Sequence, residues 1–281
     1  MTKPGLSLLA VLLDRSSSAR PAAAAIRSGV DALLADQRER PGELLVTLAS
    51  RSSAGQETAC ALRPVADVAP VALKPRGDSA LHEGIVTLIE DVGAELAGRD
   101  ESERPERVVL AVVGDTAADT RGTERVRELV ERQRRDYAWE FVLVDASAGA
   151  RTPATATSLA GDSATGDRAS GGAVTGEAVT GGAPGHGPGP DAEQAEGADV
   201  LTAVTLAEAR LGVPATAVIL VGPGPEGVRA GLGAASAFVS RARESRPWEP
   251  VEGFTDSERA AASVPGPAGP AWWRRLLAIM G

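Results

Sequence analysis

Asp14, Ser16 and Ser18 stand two residues apart in the stretch "VLLDRSSSARP", where an apolar run gives way to an alanine-rich one. One carboxylate and two hydroxyls at that spacing can turn their oxygens toward a single point when the backbone around them is a loop. Two more oxygen-bearing side chains occupy comparable places, Ser79 in "KPRGDSALHEGI" and Asp115 in "LAVVGDTAADT". A set built only from oxygens, with few negative charges, suits a hard divalent cation such as Mg2+, which keeps waters and open positions. Other metals find less to bind. Cys60 is the one cysteine, which excludes an intrachain disulfide and a multi-cysteine zinc site, and the two histidines, His82 and His186, are widely separated.

Three separated segments converge only if the elements between them bring each to the same edge. Leu6 to Leu13 reads as a buried strand, and residues 22–38 as a helix with Ile26, Val30, Leu33 and Leu34 on one stripe. Short strands are expected at 44–48 and 59–62, separated by the polar "SRSSAGQE". The spacing of Leu81, Ile85, Leu88, Ile89, Val92 and Leu96 predicts a second helix over 79–96. Val108 to Val113 is apolar without alternation, as in a parallel strand buried on both faces. A helix over 123–135, a strand over 139–144, a short helix near 201–211, a strand over 217–221 and a helix over 226–243 complete the series. This alternation predicts an α/β fold of three layers around a mostly parallel sheet. In such folds ligands gather at the carboxyl ends of the strands, where "DRSSS" and "GDTAADT" both fall.

The layout resembles the von Willebrand factor A (VWA) domain and its metal-ion-dependent adhesion site (MIDAS). The family pattern of Asp-x-Ser-x-Ser after the first strand, a Thr in a later loop and an Asp after the fourth strand falls on Asp14, Ser16 and Ser18, then Ser79, then Asp115. The segments "GVDALLADQRERPGELLVTL", "PRGDSALHEGI", "VRELVERQRRDYAWEFVLVDA" and "GVRAGLGAASAFVSRAR" are similar to a bacterial and phage group of single-domain A-type proteins. The resemblance implies a Rossmann-like fold and a non-enzymatic interaction module. Ser16 and Ser18 would hold Mg2+ or Mn2+ directly and Ser79 directly or through water, while Asp14 and Asp115 would hold coordinated waters. A partner protein would offer an Asp or Glu to the remaining position. The chain departs from the pattern where Ser79 replaces Thr, Glu83 replaces a following Asp, "GDT" replaces Thr-Asp-Gly and "LASRSS" replaces a Phe-Asp pair. Every ligating atom is kept while supporting residues differ, which lowers the expected metal affinity.

Composition bounds the rest. The 281 residues are 43% hydrophobic and 24% charged, with only 3% aromatic, so the core must be aliphatic. A formal charge of -9 excludes nucleic acid as a default partner. No apolar run is long enough for a membrane span, and "MTKPGLSLLAVLL" reads as a strand rather than a signal peptide, so a cytoplasmic protein is expected. We place a VWA-like domain at 5–245, interrupted at 147–199 by a Gly-, Ala- and Thr-rich insertion expected to be disordered and containing His186. Residues 246–281 are expected as a flexible linker and tail. The tail carries Trp272, Trp273, Arg274 and Arg275 beside aliphatic residues, a composition suited to a partner's groove, a membrane interface or a site on its own domain.

Other readings stand beside these. Ser16 and Ser18 precede a helix and could serve only as caps, in a scaffold with a degenerate site that acts through its insertion and tail. Ser79, His82 and Glu83 form a minor alternative, a serine hydrolase. "RGD" at residues 76–78 is read as a loop tripeptide, and "GPGPEG" at 222–227 as the lead into a helix, since it lacks the Gly-Lys-Ser/Thr ending of a phosphate loop.

Overall fold

The computed structural model describes residues 2–116, 119, 121–146, 204–205, 207–222 and 224–263. Strands β1 (Lys3–Asp14), β2 (Glu43–Ser52), β3 (Gly55–Pro64), β4 (Pro105–Gly114), β5 (Glu140–Asp145) and β6 (Val218–Leu220) form one sheet in the order β3-β2-β1-β4-β5-β6. All neighbours pair in parallel except β2 and β3. Helices α1 (Ala23–Glu39), α2 (Leu81–Ala97), α3 (Thr123–Tyr137) and α4 (Pro225–Glu244) cover the sheet, and a short helix α5 (Asp256–Ser263) packs on α4 and β6. The chain steps from β1 to β2 in one direction and from β4 to β5 in the other. Right-handed crossovers therefore put α1 and α3 on opposite faces, and packing places α4 with α1 and α2 with α3. This is the three-layer α/β architecture expected from the alternation.

The apolar stripes explain the packing. Ile26, Val30, Leu33 and Leu34 of α1 are buried, as are all six stripe residues of α2. β1 and β4 occupy the centre, and Leu8 to Leu13 and Val108 to Val113 are buried on both faces. α1 and α4 approach closely because Gly29 faces Leu232, whose Cδ1 lies 2.5 Å from where a Cβ on residue 29 would sit. A buried Gln37 then ties the two helices by donating to the hydroxyls of Ser236 and Ser240 and to the Ser236 carbonyl.

Two expectations need correction. β2 and β3 run through most of "SRSSAGQE" and meet at a two-residue turn, Ser53-Ala54, with Gly55 at φ 107°. Polar residues pair there because β3 is an edge strand whose side chains are largely exposed, so backbone hydrogen bonding alone extends the hairpin. The stretch 246–263, assigned to a linker, is instead built into the body. Phe254 is buried with its ring 5.8 Å from that of Phe238. Arg241 grips Glu258 at 2.8 and 3.3 Å, and Arg259 donates to the carbonyls of Ala215 and Thr216. One aromatic and two arginines with fixed partners order a segment whose Pro and Gly content reads as flexible. The insertion at 147–199, His186, and the tail residues Trp272, Trp273, Arg274 and Arg275 lie outside the described residues. Among the described residues no helix is long and apolar enough to cross a membrane.

Candidate metal centre

β1 and β4 end level with each other, Leu13 pairing with Val113, so Asp14 and Gly114 face one another at the carboxyl edge of the sheet. The contact requires glycine: a Cβ on residue 114 would lie 2.6 Å from the Asp14 Cβ and 3.2 Å from Leu81 Cδ2. Asp14 is fully buried. Its Oδ1 accepts the Ser16 backbone N–H at 2.8 Å, closing a tight turn, while its Oδ2 has no hydrogen-bond partner among the described residues. Burial raises the Asp14 carboxyl above its usual range and the Asp115 charge raises it further, against hydrogen bonds from Ser16 and from the Asp115 backbone. A buried carboxylate oxygen without a partner is costly, and such a group calls for a function at the site.

The turn after Asp14 places the hydroxyls. Ser16 is buried, Ser18 is exposed, and their Oγ atoms share a hydrogen bond of 2.8 Å. Asp14, Ser18 and Asp115 together line a cavity of about 180 Å³ between the first turns of α1 and α4. Ser79 reaches the same edge from another direction. Its loop runs alongside the β1 turn, with Arg76 N donating to Arg15 O and Ser17 N to Gly77 O, both at 2.8 Å. On its other side the loop is pinned to the hairpin turn by Ser53 N donating to Asp78 O and by Asp78 N donating to Ser53 Oγ, both at 2.9 Å. The Ser79 Oγ is buried and has no hydrogen-bond partner among the described residues. Ser79 does not line the cavity shared by Asp14, Ser18 and Asp115.

The fold thus gathers Asp14, Ser16, Ser18 and Asp115, and sets Ser79 in the loop hydrogen-bonded beside them. Two carboxylates and three hydroxyls, among whose oxygens Asp14 Oδ2 and Ser79 Oγ are buried without a hydrogen-bond partner among the described residues, are a donor set that fits a hard divalent cation. Among the described residues there is no group of three or more His, Cys, Asp or Glu arranged to hold a metal, so such a site would rest on hydroxyls.

Several neighbours escape a reading of the sequence. Arg15, between the spaced oxygens, turns away, buries its guanidinium and pairs with Glu57 at 2.6 Å. Asp145, level with Gly114 at the end of β5, accepts the Thr116 hydroxyl at 2.6 Å and steadies the residue after Asp115. Asp119 accepts the backbone N–H groups of His82 and Arg121, placing a carboxylate at the start of α2. Asp145 was detectable as an acid closing an apolar strand at the ligand edge, whereas Asp119 carries no local signal. Glu83 pairs with Arg51 at 2.6 Å.

The minor alternative finds no relay. His82 Nδ1 donates to the Arg121 carbonyl at 3.0 Å, and among the described residues neither its Nε2 nor Ser79 Oγ has a hydrogen-bond partner, so serine and imidazole do not meet. "RGD" is structural: Arg76 pairs with Glu57 and the following two residues hold the loop. In "GPGPEG", Gly222 packs on α5, its N–H donating to Ala262 O at 2.8 Å, and Gly227 lies against the same carbonyl.

No family model and no curated protein matches the sequence. Among solved structures, similar folds include proximal thread matrix protein 1 from the mussel byssus, 16% identical with a TM-score of 0.39 over 51% of this chain and 38% of that one. The manganese-loaded TRAP protein of Plasmodium vivax is 11% identical, with a TM-score of 0.36 over 50% of this chain and 58% of that one. The SpRpn10 VWA domain is 13% identical, with a TM-score of 0.36 over 50% of this chain and 74% of that one. The match thus spans less than two thirds of the mussel and Plasmodium chains.

Proposed function

We propose that this chain is a VWA-type, non-enzymatic interaction module that holds Mg2+ or Mn2+ at Asp14, Ser16, Ser18, Ser79 and Asp115 and captures a carboxylate of a partner protein. The observation that carries this reading is the buried Asp14 carboxylate, with one oxygen bonded and one without a partner among the described residues, beside a paired Ser16–Ser18 hydroxyl couple. Ser79 adds a second buried oxygen with no partner among them. A bound divalent cation would supply an electrophilic position for an incoming Asp or Glu. The chain's own residues do the positioning. The Ser16 N–H fixes the Asp14 carboxyl group, Gly114 lets β4 close on it, and the loop bonds at Arg76, Gly77 and Asp78 hold Ser79 at the edge. With only two carboxylates in the set, the cation keeps most of its charge for the partner.

The test is calorimetric titration with Mg2+ and Mn2+ of the wild type and of Asp14→Ala, paired with capture from native extract with and without EDTA. Heat of binding in the wild type alone, with EDTA-sensitive capture, supports the module. Flat titrations with EDTA-insensitive capture overturn it and favour a metal-independent scaffold.

A further inference from the structure

The cavity beside the candidate metal centre has an apolar side and a charged side. Pro21, Ala22 and Ile26 of α1 and its lead-in, with Val221 and Val228, form the first; Asp14 and Asp115 stand on the second. The body of the chain ends against this cavity. Gly222, which lines it, donates its N–H to the carbonyl of Ala262, one residue before Ser263. The sequence continues from there as "VPGPAGPA" and then "WWRRLLAIMG", a stretch with two arginines and no acidic residue. Trp272 is nine residues beyond Ser263, and nine residues span at most about 30 Å. That reach covers the cavity several times over.

We propose that the C-terminal segment of this chain occupies its own cavity, with a tryptophan of the Trp272–Trp273 pair on the apolar side and Arg274 or Arg275 against the Asp14 and Asp115 carboxylates. A guanidinium satisfies the free Asp14 oxygen with charge-assisted hydrogen bonds and stands where a cation would otherwise be needed. Tethering favours the segment over any free ligand. At the millimolar effective concentration of a short linker, an intrinsic Kd of about 0.1 mM keeps it seated roughly nine-tenths of the time. The tail then acts as a built-in competitor that a partner or a divalent cation must displace. The inference goes beyond the metal reading and does not depend on it.

The experiment uses the full chain with Trp139→Phe and Trp248→Phe, so that only Trp272 and Trp273 emit, in EDTA, with acrylamide as quencher. Quenching several-fold weaker than in urea, independent of protein concentration and restored to the unfolded value by Arg274→Glu with Arg275→Glu, is the expected result. Quenching equal to the unfolded chain overturns the proposal, as does shielding that survives the charge reversal or that grows with protein concentration, which would mean a second copy. If the two Phe substitutions disturb folding, 19F spectra of the wild-type chain labelled with 5-fluorotryptophan, with and without the charge reversal, give the same reading. Loss of shielding alongside heat of Mg2+ binding refutes only the tail; a shielded tail with Mg2+ titrations that stay flat even after Arg274→Glu with Arg275→Glu refutes only the metal site.

Discussion

Asp14→Asn separates a functional carboxylate from a structural one. The amide keeps an oxygen for the Ser16 N–H, 2.8 Å away, so the turn after β1 survives. What disappears is a negative charge that is fully buried, has one oxygen without a partner and faces the Asp115 charge. An unpaired buried polar group costs about 1–3 kcal/mol, more when charged. Removing the charge while leaving the shape should recover about 1–2 kcal/mol, as relief of strained functional sites commonly does. For a body of this size that raises Tm by roughly 2–8 °C. The pH dependence has a definite sign. Because burial raises the folded pKa above 3.8, the ionised wild type carries its penalty at neutral pH and sheds it as pH falls toward 3.8, so the advantage of Asn shrinks in acid. If the proposed function holds, saturating Mg2+ should reverse the order: the wild type should gain about 2.7 kcal/mol at a hundredfold excess over Kd, and the Asn variant nothing. Thermal unfolding in EDTA and in Mg2+, at neutral and acid pH, reads all four values, with both proteins also carrying Arg274→Glu and Arg275→Glu so that the tail cannot pair with the Asp14 carboxylate. An Asn variant less stable than wild type in EDTA, or equal responses of both proteins to Mg2+, refutes the reasoning.

Gly114→Ala forces a Cβ to within 2.6 Å of the Asp14 Cβ in the paired centre of the sheet and should cost about 1–3 kcal/mol in urea unfolding, with weakened Mg2+ binding. Gly93→Ala, inside α2 with nothing within 4 Å, is the control and should stabilise by about 0.5–1 kcal/mol. Burial pulls the His82 imidazole below 6.5, so stability should fall as pH drops from 6.5 toward its folded value, by up to about 1.4 kcal/mol per pH unit, and His82→Gln should flatten that slope. Arg107 is buried, pairs with Glu140 at 3.3 Å and holds the carbonyl of Glu249 and the hydroxyl of Ser245; Arg107→Ala should cost about 3 kcal/mol or more and loosen the Ser245–Glu249 turn, read by unfolding and by proteolysis near Arg246.

Much of the fold was legible because its signals are periodic. The α2 stripe from Leu81 to Leu96 and the unbroken run Val108 to Val113 state helix and buried strand without reference to anything else. The hairpin across Ser50 to Gln56 was not legible, since an edge strand has no apolar alternation to betray it. Nor was the packing of 246–263, which depends on Phe254 meeting Phe238 and on Arg241 meeting Glu258. At the candidate site, spacing singled out Asp14, Ser16 and Ser18 as a proposed oxygen set, and Ser79 and Asp115 were proposed from the loops that carry them. The partners of Arg15 and of Asp119 were not legible there, because each is met by a residue from another segment.

By itself, then, the amino-acid order determined which stretches become strands and helices, that they alternate into a layered α/β body, and which oxygens fall at strand ends. Those are local properties, set by side-chain periodicity and by where apolar runs stop. Only the tertiary structure decided that β1 and β4 lie side by side, so that Gly114 closes on Asp14, one of whose carboxylate oxygens is buried without a partner among the described residues. That outcome depends on strand order and register, which join residues a hundred positions apart and leave no trace in the neighbourhood of either.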